Sequence, residues 1–173
     1  MNLPNKLTIA RVICVPIFVI LYYFDLNIWA FAVFVIASIT DMLDGKIARK
    51  YNLITNFGKI MDPLADKVLV YAAFCVFVEK GIMPGWMLII ILARELAVSG
   101  MRTVAASEGK VVAAGMTGKI KTVLQMFAVL FLLLAPYHNV LDIIGKILLW
   151  ASLIMTIVSG VEYIIKNKDV FSM

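Results

Sequence analysis

The sequence has 173 residues, of which 63% are hydrophobic and 16% charged, and its formal net charge is +5. A soluble domain would carry about 45–50% apolar and about 25% charged residues, and the mean hydropathy of this chain is +0.99. These values exclude a disordered chain, a disulfide-rich scaffold and an ordinary soluble domain. They indicate an integral membrane protein with a single domain over residues 1–173.

Six apolar segments approach the roughly 20 residues that a helix needs to cross a bilayer. Short breaks with turn-forming residues separate them, so we predict an all-α fold with six transmembrane helices. The opening residues lack a small-residue cleavage site, and we expect no cleaved signal peptide. The predicted segments are Thr8–Phe24, Asn27–Arg49, Gly58–Val78, Pro84–Val104, Gly118–Ala135 and Val140–Ile165.

The distribution of basic residues predicts the orientation of these segments. Of the 16 Lys and Arg residues, only Lys80 and Lys146 fall on the outer side if the N-terminus is inside. Basic residues favour the cytoplasmic side, so we expect both termini in the cytoplasm. The charged residues inside the segments also fall toward their cytoplasmic ends, which predicts a polar cavity open to the cytoplasm.

Four aspartates form the most specific pattern in the sequence. Asp41 and Asp44 are three residues apart and Asp62 and Asp66 are four apart, so each pair shares one helix face. The short connection over residues 50–57 places the two faces side by side. Carboxylate oxygens suit hard divalent cations such as Mg²⁺ or Mn²⁺, and a two-metal phosphate site is the natural interpretation. The alternative is that these carboxylates pair with neighbouring Lys and Arg side chains.

The stretch from Asp41 to Asp66 reads D-x-x-D-G-x-x-A-R-x8-G-x-x-x-D-x-x-x-D. It resembles the signature of the CDP-alcohol phosphatidyltransferases at every fixed position. The resemblance implies a six-helix membrane enzyme, often a homodimer, with an amphipathic N-terminal segment on the cytoplasmic face. Such an enzyme transfers a phosphatidyl group from CDP-diacylglycerol to an alcohol and releases CMP. We therefore expect a multi-pass protein of the bacterial plasma membrane with a cytoplasmic active site and no nucleic-acid partner.

The resemblance also implies roles for individual residues. Asp41, Asp44 and Asp62 would bind two divalent ions, Mg²⁺ or Mn²⁺, while Asp66 would act as general base and also touch metal. Direct in-line transfer needs no protein nucleophile. The nucleotide pocket would be lined by Gly45, Ala48, Arg49 and Gly58.

A polar stripe precedes the first apolar segment. Asn5, Thr8 and Arg11 recur every three residues, which places them on one helical face. In one interpretation the stripe faces the nucleotide, and Asn5 and Thr8 help to bind it. In the other, Asn5 caps the helix and Arg11 extends its guanidinium to the membrane interface.

A second set of charges follows the aspartates and predicts where the acceptor binds. These basic residues lie at the membrane level where they could hold a phosphate carried by the acceptor alcohol. The surrounding stretches resemble the family branch that makes phosphatidylglycerophosphate, which implies sn-glycerol 3-phosphate as acceptor. The alternatives are topology signals or contacts with anionic headgroups. The residues are Arg94, Arg102, Lys110, Lys119 and Lys121, with Glu95 expected to hold Arg94 in place.

Two other functions remain open at this point. Inositol phosphate, phosphatidylglycerol or serine could serve as acceptor in the same chemistry. A divalent-cation transporter could also carry aspartates inside the membrane, but the outer halves of the first three segments are apolar and would offer no path. Cys14, Cys75 and His138 are expected to have no catalytic or metal-binding role.

Overall fold

The computed structural model describes the backbone of residues 3–50, 56–107 and 115–167, and the side chains of residues 7–40, 61, 64, 65, 67–107 and 115–167. Within these ranges the chain forms six α-helices, one short 3-10 helix and no strand, which confirms the all-α prediction. The helices are α1 (Leu3–Tyr23), α2 (Asn27–Lys50), α3 (Asn56–Glu79), α4 (Gly85–Ser107), α5 (Met116–Leu133) and α6 (Asn139–Lys166), and the 3-10 helix Ala135–Tyr137 precedes α6.

Each predicted segment corresponds to one helix, but several helices extend further than predicted. At the end of α4, Thr103 donates its hydroxyl proton to the Ser99 carbonyl at 3.0 Å, and Ser107 donates to the Val104 carbonyl at 2.7 Å. These bonds satisfy the two hydroxyl groups within the last turns of the helix. The apolar pattern alone underestimated the length of α4.

Aromatic side chains hold α1 against α2 and α3. The ring centroids of Phe18 and Phe34 are 5.9 Å apart, and those of Tyr22 and Phe77 are also 5.9 Å apart. Both distances lie in the range favoured by tilted aromatic pairs. Near the ends of α1 and α3, the Tyr23 hydroxyl donates to Glu79. The first three helices therefore form one packed unit, with α1 and α3 ending on the same side.

The second half of the chain is built on close contact between α5 and α6. A Cβ atom at Gly145 would lie 2.7 Å from Leu132 Cγ and 3.1 Å from the Leu132 backbone nitrogen. Only a glycine permits this approach, which is a common feature of helix pairs in membranes. Trp86 and Trp150, with ring centroids 5.8 Å apart, join α4 to α6.

The turn before α6 gives His138 a structural role. Its Nδ1 atom accepts a hydrogen bond from the Val140 backbone nitrogen at 3.2 Å, so the side chain caps the helix. Such a cap satisfies a backbone donor that the helix leaves unpaired.

The outer surface of the bundle is apolar. Large side chains such as Ile36, Ile89, Leu96, Ile147 and Ile165 are between 62% and 72% exposed. Exposing so much apolar area to water would be unfavourable by about 25 cal/mol per Å², whereas lipid accepts it. Helices Met116–Leu133 and Asn139–Lys166 are long and apolar enough to cross a bilayer, and the shorter apolar stretches are Leu7–Tyr23 and Asn27–Thr40. The chain is a membrane protein.

Candidate active site

A polar pocket of about 670 Å³ lies among α3, α4, α5 and α6. Its cationic side chains outnumber its carboxylates, so the pocket has a net positive charge and suits a small anion. The cations are Lys67, Arg94, Arg102, Lys119, Lys121 and Lys166, and the carboxylates are Glu95 and Glu162.

Glu95 on α4 binds three of these cations. Its Oε1 atom accepts from Arg94 Nη1 at 2.7 Å and from the ammonium of Lys121, and its Oε2 atom lies 3.3 Å from Lys67 Nζ. Glu95 is only 7% exposed and Lys121 only 3%. Buried charges need partners, so this one carboxylate holds cations from α3, α4 and α5 together.

Lys67 has a second partner at the edge of the same cluster. Its ammonium donates to Ser99 Oγ at 2.9 Å, and its side chain is 38% exposed. The ammonium of Lys67 is therefore stabilised by water and by the Ser99 hydroxyl as well as by Glu95.

Glu162 on α6 organises the opposite wall of the pocket. Thr117 Oγ1 donates to Glu162 Oε2 at 2.6 Å, and Lys166 Nζ donates to Glu162 Oε1 at 2.5 Å. The first bond joins the beginning of α5 to the end of α6. The two bonds use both carboxylate oxygens and leave the ammonium of Lys166 at the pocket rim.

Arg102 and Tyr163 meet across the pocket between α4 and α6. The guanidinium carbon of Arg102 lies 5.6 Å from the centroid of the Tyr163 ring, which is within the range of a cation–π contact. Arg102 remains exposed. Its guanidinium is therefore oriented by the ring and still available to a ligand.

The structure brings four of the five predicted acceptor residues into this pocket. Arg94 and Lys121 are bound by Glu95, whereas Arg102 and Lys119 are exposed. Lys110 lies outside the described residues. The two exposed cations are therefore accessible to an anion, while the other two are already paired with Glu95.

The aspartate motif lies on the helices that the sequence predicted. Asp41 and Asp44 belong to α2, and Asp62 and Asp66 belong to α3, with each pair on one face because of its spacing. Their side chains lie outside the described residues, as do those of Asn5, Ala48 and Arg49 and the surroundings of Gly45 and Gly58. Among the side chains that are described, no group of three or more His, Cys, Asp or Glu residues could hold a metal ion.

The donor set of the motif nevertheless fits a hard divalent ion, because four carboxylates offer only oxygen ligands. Lys67 follows Asp66 directly in α3 and lines the pocket. Helix α3 therefore carries two of the four predicted metal ligands and one cation of the pocket.

On α1, Thr8 is fully buried and Arg11 is 2% exposed. The alternative in which Arg11 extends to the membrane interface is therefore wrong. This face of α1 is directed into the bundle.

The family model for CDP-alcohol phosphatidyltransferase matches residues 1–158. The chain belongs to this family. It is 46% identical to the CDP-diacylglycerol–glycerol-3-phosphate 3-phosphatidyltransferase of Bacillus subtilis (strain 168), over 97% of this chain and 96% of that protein. It is 42% identical to the protein of the same name from Rickettsia typhi, over 98% and 99%. It is 35% identical to a probable phosphatidylglycerophosphate synthase of Mycobacterium tuberculosis (strain H37Rv), over 94% and 80%.

In this phosphatidyltransferase, the pocket also contains residues that the sequence did not reveal. The polar residues of α6 were missed because they are separated in the chain from every motif and stand in an apolar helix. One local signal was available, since Glu162 and Lys166 are four residues apart and can pair on a helix surface. The missed residues are Ser159, Glu162, Tyr163 and Lys166.

Proposed function

We propose that this protein transfers the phosphatidyl group of CDP-diacylglycerol to sn-glycerol 3-phosphate, giving phosphatidylglycerophosphate and CMP. The observation that carries the choice of acceptor is the basic pocket, to which α3, the helix of Asp62 and Asp66, contributes Lys67. The names of the relatives support the same acceptor.

The charge of the pocket favours an acceptor that carries a phosphate. Glu95 compensates part of the charge of three cations, but Arg102, Lys119 and Lys166 remain at the surface of the pocket. Charge-assisted bonds from Arg and Lys are the strong contacts to phosphate oxygens. Lys166 is paired with Glu162, but an acceptor without net charge, such as serine, would leave the excess positive charge of Arg102 and Lys119 uncompensated.

The transfer itself is assigned to the aspartate motif. Two divalent ions, Mg²⁺ or Mn²⁺, would be held by the carboxylates of Asp41, Asp44, Asp62 and Asp66. When bound, these ions supply positive charge against the diphosphate and the departing CMP.

The remaining steps belong to side chains of this protein. Asp66 accepts the proton of the acceptor hydroxyl as its oxygen forms a bond to the phosphorus that carries the lipid. The bond from that phosphorus to the CMP oxygen breaks in the same displacement. The nucleotide would be bound by Asn5, Thr8, Gly45, Ala48, Arg49 and Gly58, and the acceptor phosphate by Arg94, Arg102, Lys110, Lys119 and Lys121.

The same proposal includes six membrane crossings with both termini and the pocket in the cytoplasm of a bacterial cell, in the plasma membrane. The distribution of basic residues supports this orientation, because only Lys80 and Lys146 would lie on the outer side. Each of them pairs with a carboxylate, Lys80 with Asp25 at 3.4 Å and Lys146 with Asp142 at 2.7 Å. A homodimer is also part of the proposal. Labelling of introduced cysteines from each side of the membrane tests the orientation, and light scattering in detergent tests the dimer.

The reaction is tested by CMP release from CDP-diacylglycerol by purified protein in detergent with Mg²⁺ or Mn²⁺. sn-Glycerol 3-phosphate, inositol phosphate, phosphatidylglycerol and serine are offered separately, and we expect release only with the first. A chelator should stop release, and added Mg²⁺ or Mn²⁺ should restore it. Release with another acceptor would contradict the acceptor assignment, and no release from folded protein under any condition would favour a transporter.

A further inference from the structure

The side chain of Arg94 lies against glycines of two neighbouring helices. A Cβ atom at Gly160 of α6 would lie 3.1 Å from Arg94 Cγ, and one at Gly118 of α5 would lie 3.5 Å from Arg94 Nη2. The second distance is an ordinary van der Waals contact, whereas the first is too short for a Cβ atom unless Arg94 moves. Gly160 is therefore the glycine that makes room for the Arg94 stem.

Gly160 differs from the glycine that packs α5 against α6. A Cβ atom at Gly145 would meet both the side chain and the backbone of Leu132. At Gly160, among the described residues, the one neighbour within 4 Å outside its own helix backbone is Arg94 Cγ. The space at Gly160 is therefore used by one side chain of the pocket and not by a helix backbone.

The position of Arg94 is determined at both ends of its side chain. Its stem lies against Gly160, and its Nη1 atom donates to Glu95 at 2.7 Å. The side chain is 12% exposed, and its buried Nε atom has no hydrogen-bond partner among the described residues. A shift of the stem would therefore displace the guanidinium relative to the rest of the cation cluster.

We propose that Gly160 is a positioning residue for the acceptor pocket, acting through Arg94. Because Gly160 has no side chain, the Arg94 stem lies close to α6 and its guanidinium reaches the position where the acceptor phosphate binds. The proposal rests on the proposed function for the identity of the acceptor. It does not require Gly160 to touch any substrate.

The test compares Gly160→Ala with a matched control, Gly100→Ala. Gly100 is also helical, and a Cβ atom there would have nothing within 4 Å, so both variants add the same methyl group and the same helix preference. We expect Gly160→Ala to raise the KM for sn-glycerol 3-phosphate about threefold to fivefold, because the Arg94 stem must shift by a few tenths of an ångström and a displacement of about 1 Å can cost about 10²-fold. The KM for CDP-diacylglycerol should be unchanged, and Gly100→Ala should leave both constants unchanged. Equal increases in both KM values, or a lower Tm without a change in KM, would overturn the proposal.

A double-mutant cycle measures the contact independently of catalysis. Arg94→Ala removes Cγ, so in that background Gly160→Ala should change Tm only through helix preference, as Gly100→Ala does, whereas in the unmodified protein its effect on Tm should be less favourable. The same change in Tm in both backgrounds would show that the methyl group acts on something other than Arg94 and would refute the proposal. If the unmodified protein released no CMP with sn-glycerol 3-phosphate, the proposed acceptor would fail while this cycle still measured the contact.

Discussion

Replacing Glu95 with Gln removes the one carboxylate that three cations of the pocket share while keeping its shape. Glu95 is 7% exposed, and the side chains of Lys121 and Arg94 are 4% and 12% exposed. The substitution therefore leaves two poorly hydrated cations next to each other without a counter-charge. Lys67 is less affected because it is partly exposed and donates to Ser99.

The size of the effect follows from this burial. Removing one partner of a buried ion pair costs about 3–5 kcal/mol, and the amide oxygen of Gln recovers about 1 kcal/mol by accepting one hydrogen bond. We therefore expect a loss of about 3 kcal/mol in the free energy of unfolding. In a protein of this size each kcal/mol corresponds to about 2–4 °C, so Tm should fall by about 6–12 °C.

The assay is thermal unfolding in detergent with and without sn-glycerol 3-phosphate. Because the phosphate of the acceptor would replace the missing negative charge, it should stabilise Glu95→Gln more than the unmodified protein. The matched control is Glu162→Gln, whose partner Lys166 is largely exposed, and we expect a much smaller change in Tm there. Equal stability of the two variants would refute the view that Glu95 holds the cations together.

Three further predictions concern other parts of the molecule. Gly145→Ala should destabilise the protein by about 1–3 kcal/mol, because the added atom overlaps Leu132; an unchanged Tm would contradict the close contact of α5 and α6. Arg102→Lys should raise the KM for sn-glycerol 3-phosphate about tenfold, since Lys lacks the planar group that stacks on Tyr163, and an equal rise for CDP-diacylglycerol would refute the assignment. Asp66→Asn should lower kcat by about 10²–10⁴ with Tm unchanged, and a near-normal rate would exclude Asp66 as the base.

The helices and the family could be predicted from the sequence because both depend on local information. A run such as Asn27–Thr40 is apolar whatever its neighbours are, and backbone groups in lipid must bond within the helix. The aspartate motif, Asp41 to Asp66, lies within two consecutive helices, so its spacing is readable without a fold. The family comparison agrees with it.

The shared role of Glu95 was only partly predictable. Its neighbour Arg94 was expected as a partner because the two are adjacent in sequence. Lys121 comes from another helix, and only the packing of α5 against α4 brings its ammonium to the same carboxylate oxygen. No local pattern distinguishes Lys121 from a lysine that merely marks the cytoplasmic side.

What only the tertiary structure decided is which face of α6 completes the pocket. That face depends on how α6 is rotated and shifted against α5, and the close contact of Gly145 with Leu132 allows one such arrangement. The packing of α6 against α4 places Gly160 against Arg94 and Tyr163 beneath Arg102. The apolar composition of α6 indicates that it crosses the membrane, but it does not show which helices its polar side chains contact. The choice of face is made by steric fit between side chains that are far apart in the chain.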